Sequence, residues 1–145
     1  STTQFIESLK KELDLDITDE EVLEGWNKIF VGENFGIRDN IDRLVSKYPL
    51  YIFSNTSISH AEFWRNEYSE LLKHFQKIFT SFELGMRKPE KESFLEVCSQ
   101  IDVLPEKILF FDDTEENIIA ANDLGMNAVK VDSIQDINKT IEKLC

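Results

Sequence analysis

Residues 108–117 read ILFFDDTEEN: four apolar residues run directly into two adjacent carboxylates and then into the opening of a helix. That order describes a fully buried strand carrying acid at its C-terminal tip. In an open α/β sheet ligands bind beyond the carboxyl ends of the strands, which puts Asp112 and Asp113 where chemistry is done. Two like charges side by side repel, and a hard divalent cation such as Mg²⁺ is one means of keeping both ionised. A second reading stands beside it. Asp113 with Glu116 three residues on makes an Asp form of the capping box, which would do no more than start a helix. These ten residues alone leave both readings open.

Outward from this stretch the chain alternates. Residues 50–53 are a short apolar run, a strand, followed at once by Ser54-Asn55-Thr56-Ser57. A helix from about 59 to 75, a strand at 78–81 and a helix over 89–101 lead to the strand at 108–111. Beyond it come a helix over 115–124 closed by Gly125, a strand at 128–131, and a last helix with Ile134, Ile137, Ile141 and Leu144 on one face. Strands alternating with helices of this length predict an α/β fold with a parallel sheet.

The first third is helical instead. Phe5, Ile6, Leu9 and Leu13 recur at helical spacing, and 17–30 is a second helix in which Thr18 and Glu21 form a capping box and Ile17 can staple Val22. The acidic run over 14–24 reads as its solvated face. Gly32 to Gly36 reads as a hinge, and Ile37, Ile41, Leu44, Val45 and Tyr48 give a further helix ended by Pro49.

At 145 residues this is one domain, with a net charge of −12. Nucleic acid is bound by a surplus of Lys and Arg, so it is not an expected partner. A small phosphate ester, held locally by backbone N–H groups, one Lys and a metal ion, remains compatible. No apolar run spans a bilayer. Two cysteines, Cys98 in a helical pattern and Cys145 at the end, do not form a disulfide framework and point to a reducing cytoplasm. The chain starts Ser-Thr-Thr-Gln without Met, which suggests a processed or cut N-terminus.

Other strand tips carry chemistry too. Ser54, Asn55 and Thr56 offer hydroxyl, amide and turn N–H donors to an anionic oxygen, or else simply cap the next helix. In Gly85-Met86-Arg87-Lys88-Pro89-Glu90, Pro89 suits the first helical position and puts Lys88 at or near the N-cap. A cation there opposes the helix dipole, so Lys88 either faces a bound anion or turns away into solvent. His60 and His74 lack metal-spaced partners and read as packing residues. Phe63, Trp64 and Tyr68 read as core or interface, with Trp64 near enough to the loop to touch a ligand. Cys98 reads as a small buried hydrophobe.

Taken in order, YIFSNTS, ELGMRKPE and ILFFDDTEENI resemble the second, third and fourth motifs of the haloacid dehalogenase superfamily of phosphohydrolases. The resemblance runs from Ile37 to the C-terminus and is to the branch of small sugar-phosphate phosphatases and the phosphatase domain attached to epoxide hydrolases. It implies a Rossmann-like core, here residues 34–145, with residues 1–33 as the last part of a helical cap. It further implies that Ser54 hydrogen-bonds the transferring phosphoryl group while Asn55 and Thr56 shape that loop. By the same resemblance Lys88 neutralises phosphoryl oxygens, Asp113 binds Mg²⁺, Asp112 supports the metal directly or through water, and Asn117 orients the acidic loop. The implied reaction is Mg²⁺-dependent hydrolysis of a small phosphorylated metabolite, such as a sugar phosphate, through an aspartyl-phosphate.

One family motif has no counterpart. The apolar strand ending in Asp-x-Asp, which carries the nucleophile, should precede the cap; Asp14 and Asp16 have that spacing but follow a helical stretch and open a capped helix. In the family's sheet that strand lies between the ones ending at Ser54 and Asp112. Its absence would leave two edges of unpaired backbone groups. The expectation is an N-terminal segment or a second chain that completes the sheet; the alternative is a catalytically inactive phosphate-binding or regulatory module. A signalling receiver also uses Asp, Thr and Lys on a parallel sheet, but with the acidic pair early and the Lys late, the reverse of the order here.

Overall fold

In the structure, a computed structural model, residues 1–144 are described. Cys145, and the reading placed on it, lie outside the described residues. The elements are α1 (Thr2–Glu12), α2 (Asp19–Asn27), α3 (Ile37–Val45), β1 (Tyr51–Ser54), α4 (Ile58–Glu67), α5 (Ser69–Leu72), β2 (Lys77–Thr80), α6 (Ser81–Leu84), α7 (Lys91–Ile101), β3 (Leu109–Asp112), α8 (Glu115–Asp123), β4 (Asn127–Lys130) and α9 (Ile134–Leu144). The mixed α/β class with parallel strands and flanking helices is as the alternation predicts.

The capping box on α2 forms as expected: Glu21 N–H donates to the Thr18 hydroxyl at 3.2 Å, and Thr18 N–H donates to the Glu21 carboxylate at 2.8 Å. α2 ends at Asn27, short of the residue-30 boundary that the sequence suggests. The single helix expected over 59–75 divides at Tyr68, whose φ of −104° and ψ of 24° leave the helical basin. Gly36 starts α3 at φ 86°, a left-handed conformation that glycine adopts without penalty.

The sheet is where the structure differs most from a simple reading. β1 pairs with β2 and β3 with β4, each parallel, as two separate two-stranded sheets. Direction along the strands shows how the halves relate. The N–H and C=O of one strand residue point to the same edge, and successive residues alternate. Gln76 N–H donates to Leu50 C=O, so the even-numbered residues of β1 face β2 and the odd ones, Tyr51 and Phe53, face away. Asn127 N–H donates to Ile108 C=O and Val131 N–H to Asp112 C=O, so in β3 it is Leu109 and Phe111 that face away from β4.

Phe53 and Phe110 both pack edge-on against Phe94 of α7, with ring centroids 5.5 and 5.4 Å apart, so their side chains share a face. Same-face residues therefore point their backbone groups in the same direction in both halves, as in one parallel sheet of order β2-β1-β3-β4. A gap runs between β1 and β3.

Beneath the sheet, Phe94, Cys98, Ala120, Ala121 and Met126 form the buried core, with Phe53, Ile108, Phe110, Leu124 and Ala128 packed on it. Cys98 is the small buried hydrophobe that its spacing suggests. β3 itself is not fully buried as expected: Leu109, Phe110 and Phe111 are half-buried, because a partner strand flanks only one of its edges. Elsewhere α3 meets α9 through a 2.6 Å bond from the Asn40 amide to Asn138. Val45 and Tyr48, expected on the apolar face of α3, stay exposed at 40% and 42%.

Candidate active site

Lys88 links the two halves of the sheet. Its Nζ donates to Phe53 C=O of β1 at 2.8 Å and to the Asp112 carboxylate of β3 at 2.6 Å, and it lies 5.1 and 5.5 Å from the Phe53 and Phe110 ring centroids. Both partners of the ion pair are buried. Such a pair survives removal from water only when its remaining hydrogen-bonding capacity is also met. Here it is. The other oxygen of Asp112 accepts from Asn117 Nδ2 at 2.8 Å and from Thr114 N–H at 2.9 Å. Burial works to raise the Asp112 pKa, but the bonds from Lys88, Asn117 and Thr114 outweigh it and hold the carboxyl below its usual range.

A turn aims Lys88. The helix expected to begin at Pro89 begins two residues later, with Glu90 at φ −58° and ψ 123° as its N-cap, so Lys88 is not an N-cap residue. Glu90 N–H donates to Arg87 C=O at 2.9 Å and closes a turn over 87–90, and the Lys88–Pro89 peptide is cis. Asn55 then holds that turn. Its amide donates to Lys88 C=O at 2.8 Å and its carbonyl accepts from Lys88 N–H at 3.0 Å. The loop after β1 is tied further by Ser81, whose hydroxyl accepts from Thr56 N–H at 3.2 Å and donates to Thr56 C=O at 3.3 Å.

Ser54 closes β1, and the Lys88 bridge brings that tip beside Asp112 at the tip of β3. Asn55, Lys88, Asp112 and Asn117 are thus gathered by contiguous bonds at one end of the strands, and Ser54 lies between Phe53 and Asn55, both of which bond Lys88. Asp113 stands apart from that network. It is exposed, takes only the Thr114 hydroxyl at 3.3 Å, and does not cap α8, whose N-cap is Thr114 with no side-chain bond. The capping alternative for Asp113 is therefore not what the structure adopts.

Asp112, Asp113 and Asp132 line a cleft of about 620 Å³ with Asn34 and Ser133. Asp112 is committed to Lys88 and Asp132 to Lys130 at 2.9 Å, which leaves Asp113 as the uncommitted carboxylate of the three. No group of three or more His, Cys, Asp or Glu side chains is placed to hold a metal among the described residues. Mg²⁺ keeps several waters and takes only one or two protein carboxylates alongside phosphate oxygens. Asp113, exposed and uncommitted, is the carboxylate among the three that such an ion would use.

The remaining singled-out residues are structural here. His60 stacks on Trp26 at 4.8 Å, meets Phe30 edge-on at 5.1 Å, and places Nε2 3.3 Å from Trp26 C=O, joining α4 to α2. Trp64 is buried, with its indole N–H 3.4 Å from the Thr56 hydroxyl, so it supports the loop from behind. Asp14 and Asp16 lie in the exposed turn between α1 and α2, with no strand before them. The sequence reading passed over the bracing by Ser81; a small hydroxyl residue just after a strand was the only signal for it.

Comparison with known proteins adds three findings. Residues 6–125 match the haloacid dehalogenase-like hydrolase family. Among curated relatives, the chain is 27% identical over 141 residues to the D-ribitol-5-phosphate phosphatase of Bacteroides thetaiotaomicron, covering 94% of this chain and 68% of that protein. It is 31% identical over 90 residues to the enolase-phosphatase E1 of Persephonella marina, covering 61% of this chain but only 39% of the relative. Among solved structures, a HAD family enzyme from Bacteroides thetaiotaomicron in complex with magnesium and inorganic phosphate superposes with a TM-score of 0.82 at 26% identity, over 90% of this chain and 68% of that one. A HAD-like family hydrolase from Porphyromonas gingivalis gives 0.83 at 26% identity, over 99% of this chain and 73% of that one. The chain therefore spans only part of the length of the proteins it matches.

Proposed function

The chain belongs to the haloacid dehalogenase-like hydrolases, and from that premise we propose that it is the larger part of a Mg²⁺-dependent phosphatase acting on a small phosphorylated metabolite. The observation that carries this reading is the convergence of Ser54, Lys88 and Asp112 at one end of the unpaired edges of β1 and β3. Phosphoryl transfer needs little from a protein beyond positioning and charge neutralisation. Ser54 supplies a hydroxyl at the tip of β1 for a phosphoryl oxygen. Lys88, fixed by Asn55 and Asp112, supplies a cation that cannot swing away. The ion, when bound at Asp113, would neutralise phosphate charge. Asn117 keeps Asp112 turned toward Lys88, leaving Asp113 facing outward.

The nucleophile comes from outside these residues in this reading. Tyr51 and Phe53 on one side and Leu109 and Phe111 on the other point their backbone groups into the gap, and a parallel strand inserted there would pair with both edges. A carboxylate at the tip of that strand would stand beside Lys88 and attack phosphorus, breaking the ester P–O bond and releasing the alcohol, which takes up a proton; water would then hydrolyse the aspartyl-phosphate to the free carboxylate and inorganic phosphate. The strand belongs to an N-terminal segment or to a second chain, residues 1–33 to a cap over the site, and residues 34–145 to the core. The reading includes a cytoplasmic setting, supported by the free thiol of Cys98 in the core. Among the described residues, no helix is long and apolar enough to cross a membrane.

Hydrolysis of 4-nitrophenyl phosphate by the protein with its N-terminal segment or second chain present tests the reading. Turnover with Mg²⁺, abolished by a chelator and by Lys88→Ala, is the expected result. Phosphate binding without turnover would favour the second reading, a binding or regulatory module, to which the lack of a strand-borne nucleophile among these residues gives some weight.

A further inference from the structure

Arg87 and Lys88 are adjacent cations that serve different compartments. Lys88 is 8% exposed and turned into the gap, bound to Asp112. Arg87 is exposed and lines a separate cleft of about 860 Å³ that opens from the loop over 55–57 and is walled by Trp26, Phe82 and Met86. That volume is many times what a phosphate group fills and is in the range of pockets that hold whole organic ligands. Among the described residues its guanidinium makes no ion pair, as is also true of Arg43 on α3, whereas Arg38 is held by Glu33 and Arg65 by Glu83; of the two unpaired arginines, Arg87 is the one that lines the cleft. Glu90, also on the rim, spends a carboxylate oxygen on the Arg87 backbone N–H at 3.3 Å and does not pair with the guanidinium. An unpaired Arg on a chain of net charge −12, beside a phosphate loop, is a local exception in a field that otherwise repels anions.

Resting on the phosphate-handling reading above, we propose that this cleft takes the organic part of the phosphorylated ligand and that Arg87 is a specificity residue for a second acidic group on it. The turn over 87–90 puts Lys88 in the gap and Arg87 on the cleft, and Asn55, Thr56 and Ser57, which follow Ser54 directly, line that cleft with Arg87, so a ligand with its phosphate at the Ser54 tip would run along this loop toward the guanidinium. A carboxylate or second phosphate there would be held by paired N–H donors in the planar arrangement that suits those anions. Phe82, 37% exposed, gives the intervening carbon skeleton an apolar wall.

Calorimetric titration of the full chain in Mg²⁺ buffer with inorganic phosphate, phenylphosphonate and 4-carboxyphenylphosphonate tests this. The two organic probes differ only in the acidic group. The expected result is about tenfold tighter binding of the carboxylated probe, the size of one charge-assisted contact, with that preference lost in Arg87→Gln while phenylphosphonate binding is unchanged. Equal affinity for the two organic probes, or a preference that survives in Arg87→Gln, overturns the proposal. Arg87-dependent binding of the carboxylated probe without any binding of inorganic phosphate or phenylphosphonate would keep the cleft and remove the phosphate reading. Binding of none of the three would remove both.

Discussion

Asn55 and Lys88 grip one another through both backbone groups of the lysine: the Asn55 amide donates to Lys88 C=O at 2.8 Å and its carbonyl accepts from Lys88 N–H at 3.0 Å. The contact joins the loop after β1 to the turn before α7, 33 residues apart, and thereby sets where the Lys88 side chain enters the gap. Asn55→Ala removes both bonds and leaves two partly buried backbone groups without partners. Chemical denaturation should show a loss of about 1–3 kcal/mol, and hydrolysis should fall although Asn55→Ala leaves Lys88 and Asp112 chemically intact. Unchanged stability would mean that the grip does not constrain the turn.

The Lys88–Asp112 pair gives a second test. Each is buried, so removing one leaves the other charged and unpaired. Lys88→Met and Asp112→Asn should each cost about 3–5 kcal/mol, whereas the double substitution should recover part of that loss. Additive losses in the double variant would show that the two residues are not energetically coupled.

Acid should act through Asp112. Its folded pKa lies below the unfolded one, so its contribution is fully present above the unfolded value of about 4 and is lost as pH falls through the folded value. Asn117→Ala removes one of the bonds that hold the pKa down, which moves that loss to higher pH. Less stability then depends on Asp112 ionisation in the variant, so urea unfolding midpoints measured from pH 7 to pH 3 should start lower for Asn117→Ala and converge on wild type as pH falls below about 4. Parallel curves would exclude Asp112 as the group responsible.

Much of this was legible before any coordinates, and the misses have physical causes. The 108–117 stretch located both carboxylates, but adjacent residues at a strand end point in opposite directions, and only the structure distinguishes Asp112, turned inward to Lys88, from Asp113, turned outward. Lys88 was found by its conflict with a helix dipole, yet the helix begins at Lys91, so the conflict never arises. What fixes Lys88 is Asn55, a contact over 33 residues that no local pattern encodes. The gap between β1 and β3 is what a sheet without an Asp-x-Asp strand among these residues leads one to expect. Its consequence, four half-buried residues in β1 and three in β3, appears only when each strand is seen with one partner.

Amide exchange reads the gap residue by residue. In the chain alone, Ile52 and Ser54 in β1 and Phe110 and Asp112 in β3 face a partner strand, while Tyr51, Phe53, Leu109 and Phe111 face the gap. Exchange should therefore alternate, slow for the first set and fast for the second. Uniform protection would mean that β1 and β3 close on one another.

The central claim is that the site is completed by a strand these residues do not contain, and the mass of the intact protein purified from its native source, taken under denaturing conditions, tests it most directly. The account predicts a second peptide, or a chain heavier than 16.9 kDa, carrying an apolar run that ends in Asp. A folded protein consisting of the 145 residues alone would contradict it.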